Sequence, residues 1–192
     1  MAPAALHFTG DPEADALLAR EPLALTIGFV LDQQVTVQKA FSSPLELSRR
    51  LGGLDAAAIA AMDPDELERV FRARPALHRF PANMAKRVRE HCAVIASEYG
   101  GDASRVWSQA ADSADLRRRL EGLPGFGEMK VKSLAAVLAK RFGVAAAAEL
   151  APSHPTLGDV DSPEALERYQ AQKRAYKAAK RSGTGAPAWP SS

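Results

Sequence analysis

The sequence predicts an all-α protein, and three observations lead there. Alanine is abundant while aromatic residues make up only 6% of the chain, a bias that favours helix over strand. Helix starts are spelled out in the chain, with a capping residue, then proline, then an acid close behind. No segment shows the apolar–polar alternation of a half-buried strand bounded by hairpin turns.

Each element follows from local chemistry. Asp11-Pro12-Glu13 opens a helix over 12–20, and the apolar run after it is expected to be one helix over 23–40. Ser43-Pro44-Leu45-Glu46 is expected to start a helix over 44–51, and Asp63-Pro64-Asp65-Glu66 another over 64–72. In each, the cap oxygen accepts from orphan amides, proline needs no donor in the first turn, and the acid complements the helix dipole. Helical spacing predicts further helices over 83–99, 114–121 and 128–142, and Ser162-Pro163-Glu164 opens one over 163–180. Residues 143–161 read as a loop holding one short helical turn. Residues 182–192 are small, polar and proline-rich and read as a disordered tail, leaving 1–181 as one domain.

Composition excludes several classes. The single cysteine, Cys92, rules out a disulfide within the chain and any iron–sulfur or zinc site built on several thiolates. The four histidines are scattered, and His78 and His91 lack the spacing of a ligand pair. No apolar run is long enough for a membrane span, and the amino terminus has no basic-then-apolar pattern, so a cytoplasmic, nucleoid-associated monomer is expected. The net charge of +2 permits nucleic-acid binding without arguing for it.

The most informative segment is Leu123-Pro124-Gly125-Phe126-Gly127. An arginine-rich helix (Arg117, Arg118, Arg119) runs into it. An amphipathic helix leaves it, with Val131, Leu134, Ala135, Leu138 and Phe142 on one face. Two glycines in so short a connection can expose backbone amides at a helix start, a natural phosphate cradle. Lys130 and Lys132 stand in the first helical turn, where positive charge opposes the dipole by about 0.3–1 kcal/mol each, a cost that a bound anion would remove.

This segment resembles the hairpin of the helix-hairpin-helix GPD superfamily of base-excision DNA glycosylases. A second match lies about ninety residues upstream, where Ile27-Gly28-Phe29-Val30-Leu31-Asp32-Gln33-Gln34-Val35-Thr36-Val37 is similar to the Gln-Gln segment of 3-methyladenine glycosylases. The resemblance covers roughly residues 20–180 and is nearest to a little-characterised actinobacterial-type branch without an iron–sulfur cluster. It implies a two-lobed helical fold with a DNA-facing cleft and duplex DNA containing a damaged base as partner. It also implies phosphate contacts from Leu123, Gly125, Phe126, Gly127, Lys130 and Lys132, and a place beside the lesion for Gln33 and Gln34. No cofactor is expected, a monovalent cation at the hairpin being the one ion the resemblance allows.

The family divides at the seventh position of the hairpin motif, where a lysine gives Schiff-base lyase chemistry. Counted from Leu123 that position is Met129, which implies a monofunctional glycosylase using water; a register one residue later would put Lys130 there. The family's catalytic aspartate follows the second hairpin helix and stabilises the oxocarbenium-like charge on the sugar. Ala145-Ala146-Ala147-Ala148-Glu149 occupies the usual distance, so the candidates are Asp159 and, second, Asp161, with an insertion before them; both could equally be charges that start the next helix. Asp32 departs from the small residue common before Gln-Gln. Phe29, Phe41, Phe80 and Trp107 are candidates to stack on a displaced base, and Lys173, Arg174, Lys177, Lys180 and Arg181 to reach phosphates. The alternative function is a non-catalytic damage- or structure-specific DNA-binding protein, and after it a helical protein-interaction module.

Overall fold

Helix caps organise the molecule much as their chemistry requires. The computed structural model describes residues 2–182, and these form ten α-helices and two 3-10 helices with no strand. Asp11 caps α1 (Pro12–Arg20) by accepting from the Glu13 amide, and Asp63 caps α5 (Pro64–Arg72) by accepting from the amides of Asp65 and Glu66. The Ser162 hydroxyl accepts from the Ala165 amide at the start of α10 (Pro163–Ser182). That helix includes Ser182, and the rest of the expected tail lies outside the described residues.

Two expectations are corrected between residues 23 and 51. The helix expected over 23–40 is two, α2 (Pro22–Leu31) and α3 (Val37–Leu51), separated by a turn at 32–36. Ser43-Pro44 starts nothing: Pro44 lies inside α3, and the Ser43 hydroxyl donates to the carbonyls of Lys39 and Leu77, 2.7 Å each. The real cap is Thr36, whose hydroxyl accepts from the Lys39 amide at 3.2 Å. Proline is tolerated there because the serine hydroxyl ties this turn to the Leu77 carbonyl as well as to its own helix.

The remaining elements are α4 (Ala56–Ala61), α6 (Pro81–Tyr99), α7 (Arg105–Ser108), α8 (Ser113–Glu121) and α9 (Glu128–Phe142). The 3-10 helices Ala145–Leu150 and Leu157–Asp159 occupy the stretch expected as loop. Helices α1 to α6 pack mainly among themselves, and α7 to α10 with the 3-10 helices pack mainly among themselves, giving two lobes. Helix α2 explains the first lobe: it is apolar nearly all round, so it is buried on every side, and its one polar side chain, Thr26, donates to the Leu23 carbonyl. The hairpin joins the lobes. Phe126 is buried with its ring 5.9 Å from that of His91 on α6 and 6.3 Å from that of Phe29 on α2.

Candidate nucleic-acid interface

The hairpin between α8 and α9 leaves backbone amides open. Gly125 takes φ +86°, a left-handed conformation that side chains rarely adopt, and a Cβ there would meet Val30 at 3.4 Å. Gly127 forms the start of α9 with no side-chain cap, and open space surrounds the position a Cβ would take. Among the described residues, no backbone carbonyl takes the amides of Gly127, Glu128 and Met129. Three orphan donors at the positive end of a fifteen-residue helix form an anion-binding concavity.

The two lysines behave differently from each other. Lys132 pairs with Glu128 one turn back at 2.7 Å, so its charge is locally met. Lys130 turns towards the other lobe and donates to the Val30 carbonyl at 3.0 Å, near the carbonyl-rich end of α2. Burial pushes the Lys130 ammonium down to about 8; Arg87 adds to this, while Asp32 works against it. Met129, one residue before Lys130, is 75% exposed and points its thioether into solvent.

Across from the hairpin lies the turn that carries the two glutamines. Gln34 has φ +57°, the only positive φ among described non-glycine residues, so this turn holds a strained backbone in place. His78 pins it. The Phe80 amide donates to His78 Nδ1 at 3.0 Å, so Nε2 carries the proton and donates to the carbonyls of Leu31 and Gln33, 3.2 and 3.0 Å away. Burial lowers the His78 pKa, and the two backbone bonds oppose that shift. The Gln33 side chain accepts from Arg87 at 3.1 Å, while Gln34 is exposed. Phe80, 39% exposed under the Arg79 guanidinium, stands beside this turn; Phe29, Phe41 and Trp107 belong to the core instead.

Asp32, at the C-terminal end of α2, is a half-buried carboxyl surrounded by cations. Burial raises its pKa, and Lys173, Lys130 and Lys177 pull it back. Tyr169 of α10 lies near it and also near Asp159. Burial, reinforced by both carboxylates, pushes the Tyr169 hydroxyl up to about 12.

Asp159 is fixed by its own loop. One oxygen accepts from the Lys140 ammonium at 2.5 Å, the other from the Thr156 amide at 2.8 Å and hydroxyl at 3.1 Å, and the Thr156 hydroxyl accepts in turn from the Gly158 amide. Burial alone would raise this carboxyl; the Lys140 and Thr156 bonds outweigh it and hold the group below the usual aspartate range. It lines a pocket of about 140 Å³ with Thr156, Arg168 and Tyr169. Asp161 is exposed and does not line that pocket. Sequence reasoning missed the partners that set these groups: Arg87 for Gln33, Lys140 and Thr156 for Asp159. Arg87 and Lys140 reach across from other elements, so local spacing does not announce them; Thr156 is local, the cap of the 3-10 helix that ends at Asp159, and forms a capping box with it. Among the described residues no helix is long and apolar enough to cross a membrane.

An all-helical, two-lobed chain with an open-amide hairpin facing a strained glutamine turn defines a helix-hairpin-helix DNA-binding protein. Residues 27–182 match the family of HhH-GPD superfamily base excision DNA repair proteins. The chain belongs to that superfamily, whose work is base excision DNA repair. No curated protein and no solved structure matches it.

Proposed function

We propose that the protein is a monofunctional DNA glycosylase that hydrolyses the N-glycosidic bond of a damaged base in duplex DNA. In this reading the open amides of the hairpin hold the strand beside the lesion. Gln33 and Gln34 then border the nucleotide as it leaves the stack. Water attacks C1′ of the sugar, the C1′–N bond breaks with its electron pair passing to the base, and the water proton is released to solvent. Asp159 stands as the fixed negative charge that favours the oxocarbenium-like state.

The observation that carries the monofunctional reading is the pair of neighbours on α9. Met129, the seventh residue counted from Leu123, has no amine, and the Lys130 amine is tied to the Val30 carbonyl. One observation favours a second reading: a lysine whose pKa is about 8 is partly unprotonated near neutral pH and able to attack the sugar.

Support for Asp159 comes from its being held ionised, beside a pocket, by three donors in fixed geometry. The test is single-turnover base release, after a screen of alkylated, deaminated and oxidised duplexes has identified the lesion. Asp159→Asn should slow release by about 100- to 1000-fold, the usual worth of such charge stabilisation at about 3–4 kcal/mol, while damaged-DNA affinity holds. Asp161→Asn should leave the rate within a few fold. Full-speed release by folded Asp159→Asn removes Asp159 from the mechanism.

A further inference from the structure

The molecule carries two runs of cations on helices, and their surroundings differ. On α8, Arg117 lies 4.0 Å from Glu121, and Arg118 and Arg119 both bond Asp115, so each arginine has a carboxylate on its own helix. On α10, residues 168–182 hold six Lys and Arg and no Asp or Glu. From Lys173 onward none of these cations has a described carboxylate within ion-pair distance. The first run is a neutralised surface. The second forms no close ion pair among the described residues, Asp32 being the carboxylate that Lys173 and Lys177 act on from farther off.

Direction matters as much as charge. Taking about 100° per residue, Lys173, Lys177, Lys180, Arg181 and Arg174 fall within an arc of about 120°. The same arc, extended back one and two turns, contains Leu166, which is buried, and Gln170, which exchanges two hydrogen bonds with Gln38 of α3 at 3.2 and 2.6 Å. The face that docks α10 onto the protein in its first turns therefore becomes the cationic face in its last turns. Lys173 and Lys177 also act on Asp32, as does Lys130 of the hairpin helix, so the lysines of the two elements converge on one region.

We propose that this face of α10 is a second binding surface for the phosphate backbone of duplex DNA, continuous with the hairpin. It rests on the DNA-glycosylase reading above and adds a surface that the reaction itself does not require. Charge complementarity selects the partner. A row of cations along one helix face, with no acid interleaved, suits a phosphodiester backbone. Asp32 lies at the inner end of the row as an internal counter-ion.

The full-length protein tests this through the salt dependence of its affinity for an undamaged duplex. Lys177→Gln, Lys180→Gln and Arg181→Gln together should reduce the slope of log K against log salt by about 0.9 for each phosphate no longer neutralised. At 0.1 M salt this amounts to about eightfold in affinity per phosphate, with 1 M as reference. Helicity should be unchanged, since glutamine and lysine have similar helix propensity. A second variant keeps the net charge: the same three substitutions with Ala171→Lys, Ala175→Lys and Ala178→Lys, three exposed positions outside that arc. The proposal expects the slope to stay reduced in that variant as well. A restored slope would show that overall charge, not this face, sets affinity, and an unaltered slope in the first variant would show that α10 does not touch DNA. Either outcome overturns this proposal and leaves the glycosylase reading standing. If the unsubstituted protein shows no salt-dependent duplex binding, both are overturned.

Discussion

His91 lies under the hairpin with no exposed surface, and acid should act on the protein through it. Its Nε2 bonds the Thr26 hydroxyl at 2.9 Å, its ring stacks on Phe126, and its Nδ1 has no hydrogen-bond partner. Because the Thr26 hydroxyl donates to the Leu23 carbonyl, it must accept from His91, which fixes the proton on Nε2 and leaves Nδ1 as a bare acceptor. Burial lowers the pKa to about 4, against 6.5 for an exposed histidine. The folded value is the depressed one, so the unfolded chain binds a proton first as pH falls. Stability from this group is complete above about pH 6.5 and is lost as the pH drops towards 4. At 1.36 kcal/mol per pH unit the loss is about 2 kcal/mol by pH 5 and approaches about 3 kcal/mol at pH 4. Urea unfolding of the parent and of His91→Phe across this range isolates the effect. Phenylalanine keeps a ring against Phe126 but cannot titrate, and Thr26 keeps its bond to Leu23. The parent curve should fall below the variant's by those amounts, relative to their difference at pH 7. Parallel curves would refute the argument that His91 is held neutral.

Two further perturbations follow from the same geometry. Gly158 packs so tightly on α9 that a Cβ would lie 2.5 Å from the Ala136 carbonyl oxygen, and backbone cannot move aside as a flexible side chain can. Gly158→Ala should therefore lower the melting temperature, at a cost of about 1–3 kcal/mol or more, and should slow base release by shifting Asp159. An unchanged melting temperature would contradict that close approach. Lys130 loses its charge as pH rises through about 8, so its contribution to DNA affinity should fade between pH 7 and 9. The affinity ratio of parent to Lys130→Gln, measured at fixed salt, should shrink towards one across that interval; a constant ratio would mean that the lysine stays charged.

Much of the fold was legible because its helix caps are local. Asp11, Asp63 and Ser162 each satisfy amides two or three residues away, and short-range chemistry of this kind survives in sequence. Ser43-Pro44 carried the same pattern and misled, because its hydroxyl is used by the Leu77 carbonyl, 34 residues distant. The break between α2 and α3 was invisible for a related reason: the turn with the strained Gln34 is held at the Leu31 and Gln33 carbonyls by His78, 45 residues on from Gln33. Helix α4 was missed since Asp55 caps it without a following proline. At the site, the hairpin glycines declared the open amides in advance. What sequence could not supply was the use of each charge. Lys130 turns back to α2 and Asp159 is clasped by Lys140, both settled by tertiary neighbours, whereas the i,i+4 pairing of Lys132 with Glu128 is local to α9.

The most direct measurement is base release and strand scission, followed together on one lesion-bearing duplex under single-turnover conditions with borohydride present. Hydrolysis by water, with Met129 in the place of an attacking lysine, predicts a free base and an abasic strand that stays whole until alkali is added. It also predicts no covalent protein–DNA adduct. A borohydride-trapped adduct that disappears in Lys130→Gln would contradict the monofunctional account and assign the attack to Lys130, and the absence of base release on every lesion tested would contradict the glycosylase itself.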